Sequence, residues 1–310
     1  MTPASSVLLL TTLTGFGYGL LAWVGILAAL GWLPPAQFFV PVAVLVALAL
    51  ASAGLVASTL HLGHPERAWR AFTQWRSSWL SREGVASLIT FPPALVFAGL
   101  WWVLGPYAMA TRALGLVAAC LGLVTVGCTA MIYASLKPIR QWHNPHTLPD
   151  YLIFAVFSGA TLLAAVWAAW FGAAETLAVA ALIAALIGAG AKFAYWRFID
   201  AQKPLVTLAS AIGVANSATA RPLDGPHFTE NYILREMGYV IARKHAMKLR
   251  RIAVGLAFFV PALLALFAAF GIAPAIIAPA AALVALAGLL VERWLFFAEA
   301  THVATIYYGS

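Results

Sequence analysis

Eight long apolar runs divide this chain, and they constrain its fold more than any other feature. Each run has about 20 residues, the length that an α-helix needs to cross the hydrocarbon core of a bilayer. Because the runs are continuous and do not alternate in polarity, they favour helices over the strands of a membrane barrel. The sequence therefore predicts an all-α polytopic membrane protein, a single transmembrane domain over residues 1–310. The predicted spans cover residues 7–31, 36–60, 84–104, 113–135, 151–171, 175–197, 252–270 and 275–300.

The composition excludes an ordinary water-facing surface. Apolar residues make up 63% of the chain and charged residues 9%, whereas soluble proteins carry about 25% charged residues. The net charge of +8 is interpreted as the basic excess that membrane proteins carry on one side, and not as a nucleic-acid surface. The two cysteines, Cys120 and Cys128, lie within one apolar run. Two thiols are too few to ligate an iron–sulfur cluster, so any such cluster must belong to a partner.

The basic residues mark one end of the predicted bundle. Seventeen of the 18 Lys and Arg residues lie in or near the connections 61–83, 136–150 and 198–251 or near the end of the last span, and only Arg112 lies opposite. We call this side the charged end. The positive-inside rule assigns it, with both termini, to the cytoplasm, and the expected location is the bacterial inner membrane. A partner with acidic patches would favour the same arginines on whichever side it docks.

The segment before the seventh span has a different character. Residues 228–251 combine helix-forming residues with an apolar stripe that includes Tyr232, Met237 and Ile241. A strongly basic amphipathic helix of this kind is typical of the membrane interface. We therefore predict an interfacial helix that precedes the seventh span.

Residues 61–83 hold the densest group of polar and aromatic side chains, with four Arg, three Trp, two His and two Glu. An aromatic belt combined with positive-inside arginines is the purely structural interpretation. The functional interpretation is a site for an amphipathic molecule such as a quinone, whose tail dissolves in lipid and whose ring oxygens need hydrogen bonds. Quinol oxidation also releases protons, and His61 and Glu83, at the ends of the second and third spans, are the candidate acceptors.

The end of the last span repeats this pattern. Glu292, Arg293 and Glu299 lie near the membrane boundary, where charges are costly unless they are paired or hydrated. Ion pairing that only holds helices together is the alternative to a functional role. His61 and His302 fall at the same level on different spans and could together ligate a heme iron, although their position at the boundary is unusual for buried heme. No other metal site is predicted.

The sequence resembles the membrane-anchor subunit family of dimethyl sulfoxide reductase-type molybdoenzymes. The matching stretches are HLGHPERAWRAFTQWRSSWLSRE (61–83), MIYASLKPI (131–139) and ERWLFFAEATHVATIYYG (292–309). The resemblance implies an eight-helix anchor that exchanges electrons between membrane quinone and a four-cluster iron–sulfur subunit, which serves a molybdopterin catalytic subunit. It places His61 and Glu83 in the quinone site and implies no heme. Within the family, the loop sequence resembles that of anchors of cytoplasmic sulfite-oxidising enzymes.

The expected role is therefore that of a quinone-reactive anchor, without molybdenum chemistry of its own, in sulfite oxidation or in the reduction of S- or N-oxides during anaerobic or sulfur respiration. The quinone, menaquinone or ubiquinone, is expected at the charged end between the first four spans. A secondary transporter remains the alternative from another class, and a heme b cytochrome subunit is a third. The expected quinone contacts are His61, Arg67, Trp79, Arg82 and Glu83, with Tyr18, Tyr133 and His302 as further ring contacts.

Overall fold

The computed structural model describes residues 4–60, 62–202, 206–214, 220 and 244–308. The described part of the chain is helical, and eight of its helices are long and apolar enough to cross a membrane. The elements are α1 (Ser5–Leu30), α2 (Phe39–Thr59), a 3₁₀ segment (Pro65–Gln74), α3 (Trp79–Leu104), α4 (Met109–Ala134), α5 (Thr147–Phe171), α6 (Glu175–Asp200), α7 (Leu208–Ala211), α8 (Ala246–Val254), a π-helical segment (Gly255–Phe259), α9 (Val260–Ala269), α10 (Pro274–Ala298) and a second 3₁₀ segment (Val303–Tyr308).

The predicted all-α, eight-span architecture is confirmed, and the main differences lie at the helix ends. The helix α3 begins at Trp79, five residues before the predicted span, because the Ser78 side chain caps it by accepting a hydrogen bond from Ser81 N at 3.4 Å. Similarly, α6 continues to Asp200. Helices can extend past their apolar runs where the charged end meets water, so apolar length alone underestimates them.

The predicted interfacial helix falls largely outside the described residues, because 228–243 are not among them. Its last part is described, and Ala246–Arg251 form the first turns of α8. The seventh span runs from Ala246 to Ala269 through α8, the π-helical segment and α9. The described end of the amphipathic stretch is thus continuous with the span.

The helix α1 lies at the centre of the bundle and packs against α2, α4, α5 and α10. It can do so because small residues let the backbones approach closely, which is the main source of helix association in lipid. A Cβ atom at Gly19 would overlap the Ala155 carbonyl of α5, and one at Gly159 would overlap Gly19 itself. A Cβ at Gly15, by contrast, would meet no atom within 4 Å. Gly19 and Gly159 therefore form the α1–α5 contact, and Gly15 does not.

A buried ion cluster joins α6 and α10 in the interior of the bundle. Lys192 Nζ lies 2.5 Å from Glu292 Oε1, and Arg293 Nε lies 3.4 Å from Glu292 Oε2. All three side chains are at least 95% buried. The two cations also lie over aromatic rings, 4.1 Å from the Tyr195 centroid and 3.8 Å from the Tyr151 centroid. Lys192 and Arg293, which the charge pattern assigned to the charged end, are therefore interior residues paired with one carboxylate.

The first prediction concerns the α1–α5 crossing. Substituting Gly19→Ala should destabilise the bundle by about 1–3 kcal/mol, because the added methyl group forces two backbones apart. Gly15→Ala is the matched control on the same helix, four residues away, and should have little effect. Thermal unfolding of the purified chain in detergent measures the difference. Equal stability of the two variants would contradict the proposed contact.

The second prediction concerns the buried ion cluster. Glu292→Gln should destabilise the chain more than Lys192→Met, because it leaves two buried cations without a counter-charge, whereas Glu292 keeps Arg293 when Lys192 is removed. Removal of one partner from a buried pair costs about 3–5 kcal/mol. The double variant should be more stable than the sum of the single effects predicts. Unfolding free energies in mixed micelles test this, with Lys137→Met as an exposed control; strictly additive effects would contradict the pairing.

Candidate functional site

A large pocket of about 800 Å³ lies at the charged end, between α1, α2, the first 3₁₀ segment, α3 and α4. Its lining is mainly apolar and includes a few polar groups, as is usual for small-molecule sites. Val56, Leu80 and Leu88 line it while remaining more than half exposed. These exposed apolar side chains are suited to face lipid, which would give the pocket a lateral opening to the apolar phase. The polar side chains that line it include His64, Arg67, Glu83, Ser87 and Tyr133.

The first 3₁₀ segment forms the outer wall of this pocket. It begins with Pro65 after the α2 end and carries no buried residue. Phe72 of this segment packs on α3 at Gly84, where a Cβ atom would lie 2.8 Å from the Phe72 ring. Arg82 ties the following turn to α3 by donating hydrogen bonds to the Trp75 and Arg76 carbonyls at 2.9 and 2.7 Å. These contacts hold the segment over the beginning of α3.

Glu83 is the buried carboxylate of the pocket, with 3% of its surface exposed. Its Oε1 accepts a hydrogen bond of 2.6 Å from the Thr129 hydroxyl of α4. No cation lies within ion-pair distance of Glu83 among the residues that the structure describes. This distinguishes Glu83 from Glu292, which lies between two cations, and from Glu299, which accepts from Arg250 at 2.7 Å. A buried carboxyl without a countercharge is suited to exchanging a proton.

Thr129 has two possible acceptors for its single hydroxyl hydrogen. Besides Glu83, its Oγ1 lies 3.1 Å from the Thr125 carbonyl one turn earlier. When Glu83 is ionised, Thr129 can donate to it. When Glu83 is protonated, it can donate to Thr129, whose hydrogen then turns to the Thr125 carbonyl. The pair is therefore satisfied in both protonation states without moving a helix.

The structure brings three of the predicted site residues together in this pocket, namely Arg67, Glu83 and Tyr133. Arg67 lines the pocket while remaining exposed, and its Nε lies 3.7 Å from Glu66 Oε1. Tyr133 is buried and stacks on Tyr151 with ring centroids 6.0 Å apart. His61 lies outside the described residues, but its neighbour Leu62 lines the pocket.

The other described residues that were predicted to contact quinone do not line this pocket. They are Tyr18, Trp79, Arg82 and His302. Tyr18 is buried in the core of α1. Trp79 is covered by Arg82, whose Cζ lies 4.1 Å from the indole centroid, so both side chains are engaged in the turn before α3. His302 follows α10, where its Nδ1 accepts a hydrogen bond from Ala304 N at 3.1 Å.

Sequence reasoning missed His64 and Thr129. His64 lines the pocket with its Nδ1 3.0 Å from Glu66 Oε1, and its place in the His-Leu-Gly-His stretch could have identified it. Thr129 lies in an apolar run, where a hydroxyl commonly bonds to a carbonyl of its own helix and so gives no sign of a site. Thr129 also lines a small cavity of about 20 Å³, large enough for one water. Tyr151 and Arg293 line the same cavity, so it connects the hydrogen-bond partner of Glu83 with the buried ion cluster.

Comparison with known proteins identifies the type of protein. Residues 3–307 match the family model described as DMSO reductase anchor subunit (DmsC). The sequence is 38% identical to the C subunit of the sulfite dehydrogenase of Allochromatium vinosum, over 100% of this chain and 99% of that protein. It is 31% identical to the anaerobic dimethyl sulfoxide reductase chain YnfH of Escherichia coli over 38% of this chain and 41% of that protein. An anaerobic dimethyl sulfoxide reductase protein of Haemophilus influenzae is also 31% identical, over 38% of this chain and 42% of its own length.

The family match covers all eight spans and the pocket, including the first 3₁₀ segment and the beginning of α3. The eight-span bundle and the family match over almost the whole chain both indicate a membrane anchor. The chain belongs to the DMSO reductase anchor-subunit family, and it is the membrane anchor of an oxidoreductase complex of that type.

Proposed function

We propose that this anchor exchanges electrons between membrane quinone and an iron–sulfur partner subunit, with quinone bound in the pocket beside Glu83. The observation that carries the proposal is the buried Glu83 carboxyl, which faces a lipid-accessible pocket and has only a neutral hydroxyl as its described side-chain partner. Burying such a group inside a membrane costs free energy, so its presence there points to a functional requirement. A carrier that gains or loses protons together with electrons supplies that requirement.

The pocket suits the shape and chemistry of a quinone. Its exposed apolar side would admit the isoprenoid tail, while polar groups from α3, α4 and the first 3₁₀ segment that line the pocket would bind the ring. In quinol oxidation one ring hydroxyl would give its proton to Glu83, and the Thr129 hydrogen would turn to the Thr125 carbonyl. The two electrons leave for the partner, and the second proton is assigned to His61. For quinone reduction the same steps run in reverse.

The electron acceptor has to be supplied from outside this chain. The two cysteines, Cys120 and Cys128, lie on α4 and are not paired with each other. The first 3₁₀ segment and the turn that follows it offer a docking surface, since they are exposed and present Trp69 and Trp75 with Arg70 and Arg76 over their rings at 5.7 and 4.9 Å. Tryptophan and arginine are the residues that contribute most to protein interfaces. We assign this surface to the iron–sulfur subunit.

The catalytic partner is assigned by analogy with the full-length relative. Because the chain aligns end to end with a sulfite dehydrogenase subunit, we propose that the complex oxidises sulfite at a molybdopterin centre and passes electrons through the iron–sulfur subunit to quinone. The charged end would then face the cytoplasm of a bacterium, as the positive-inside rule predicts. A secondary transporter is disfavoured, because the chain belongs to an anchor family.

The third prediction tests the two proton acceptors. His61→Ala and Glu83→Gln should each lower quinone-linked turnover by about 10²–10⁴-fold, the usual contribution of a positioned acid or base. Co-purification of the partner subunits should be unchanged, and so should their activity with an artificial electron acceptor that bypasses the membrane. His245→Ala, an exposed histidine before α8, is the control. Normal quinone turnover in both variants would refute the proposed site.

The fourth prediction separates Thr129 from its neighbour. Thr129→Val removes the hydrogen bond to Glu83, and the loss of about 1.5–3 kcal/mol should slow quinone turnover roughly 10- to 100-fold. Thr129→Ser should restore the rate. Thr125→Val is the matched control, because Thr125 is buried on the same helix but its hydroxyl faces Thr90 at 3.2 Å. The pH profile of turnover should change only in Thr129→Val; equal profiles for the two valine variants would mean that Thr129 is merely structural.

A further inference from the structure

A second groove of about 530 Å³ lies between the end of α6 and the beginning of the seventh span. It is separate from the quinone pocket and shares no lining residue with it. One end of the groove is basic, since Arg197, Arg250 and Arg251 line it. The remainder is apolar, with Phe193, Trp196, Val254 and Phe259 among the lining residues.

Arg250 fixes the shape of the basic end. Its guanidinium donates to both Asp200 oxygens, at 2.5 and 2.9 Å, and its Nε donates to Glu299 at 2.7 Å. All three of its nitrogens are therefore used. This one side chain joins α6, α8 and the end of α10, and it is 12% exposed. Arg250 therefore has a structural role in the groove, because its guanidinium nitrogens already bond carboxylates.

Two other arginines remain available. Arg197 and Arg251 are exposed and line the groove, and neither is ion-paired within the described ranges. With Arg250, Asp200 and Glu299, these two side chains leave an excess of one positive charge at the groove mouth. Arginine binds phosphate through paired N–H donors. The mouth of the groove thus suits an anionic phosphate group.

The deeper part of the groove suits a hydrocarbon chain. Phe193 and Phe259 are more than half exposed, and they point away from the core at the level of the apolar spans. The π-helical segment begins there at Gly255, where a Cβ atom would meet nothing within 4 Å. π-Helical turns often occur at functional sites. A missing side chain at this turn leaves space along the groove floor.

We propose that this groove binds an anionic phospholipid, with its phosphate at Arg197 and Arg251 and an acyl chain along Phe193, Gly255 and Phe259. Basic pockets between membrane helices at the interface recognise such headgroups. A soluble anion would not use the apolar floor, and a neutral lipid would not use the arginines. The binding does not depend on the quinone proposal, because the groove and the pocket are separate.

The experiment uses the full chain purified in detergent and returned to nanodiscs of defined composition. Phosphatidylglycerol or cardiolipin should raise its unfolding temperature more than phosphatidylcholine does, and native mass spectrometry should detect a retained anionic lipid. The variant Arg197→Gln/Arg251→Gln should weaken anionic-lipid binding by roughly tenfold or more. Lys137→Gln, which removes an exposed charge from another connection of the charged end, should bind as the wild type does.

A second variant tests the apolar floor. Gly255→Leu places a side chain in open space, so it should fold normally and exclude the acyl chain. Retention of the anionic lipid by both the double variant and Gly255→Leu would overturn the proposal. A wild-type protein without preference for anionic lipid would also overturn it. So would loss of the iron–sulfur subunit from a complex purified with the arginine double variant while lipid is retained, because the groove would then be a contact between subunits. Quinone-linked turnover in a single lipid tests the quinone site separately.

Discussion

The free-energy cost of an isolated charge inside a bilayer is the constraint on which this structure depends. It confines most basic residues to the charged end, and it requires a partner for each charge that is buried. Lys192 and Arg293 meet that requirement through one carboxylate, Glu292, and through aromatic rings. The bilayer constrains helix packing as well, because lipid provides no hydrophobic force between helices. Close backbone contact, as at Gly19 and Gly159, has to supply the attraction.

Glu83 is informative because it does not follow this pattern. Within the described part of the chain its side chain meets a hydroxyl, whereas Glu292 and Glu299, which are similarly buried, meet cations. A carboxylate clamped by cations holds its charge through any redox cycle. A carboxyl that faces only Thr129 can change its charge with little rearrangement, because the hydroxyl adapts to either state. The buried acids that are paired with cations therefore have a structural role, whereas Glu83 is suited to proton exchange.

The sequence was sufficient for the fold but only partly for the site. Apolar run length predicts each span, since the bilayer thickness sets it. The position of Glu83 followed from a local motif in which loop and helix start are adjacent in sequence. The sequence did not predict Thr129 as the partner of Glu83 or Lys192 as the partner of Glu292, because each partner comes from a different helix that is distant in sequence. Which faces of two spans meet depends on rotation and tilt, and apolar runs that are uniform around the helix do not encode either.

The proposed reaction would take electrons and protons along separate routes. The exposed 3₁₀ segment and the turn after it, with arginines over Trp69 and Trp75, form the outer wall, while Glu83 contacts Thr129 of α4. Electrons would therefore leave outward to the partner subunit, and a proton would be held inward at Glu83. The small cavity that Thr129 shares with Arg293 lies beside this carboxyl's hydrogen-bond partner, and the positive charge of Arg293 would favour return of the proton to the pocket or the aqueous boundary. Separation of the two paths would keep the proton from being trapped in the bundle interior.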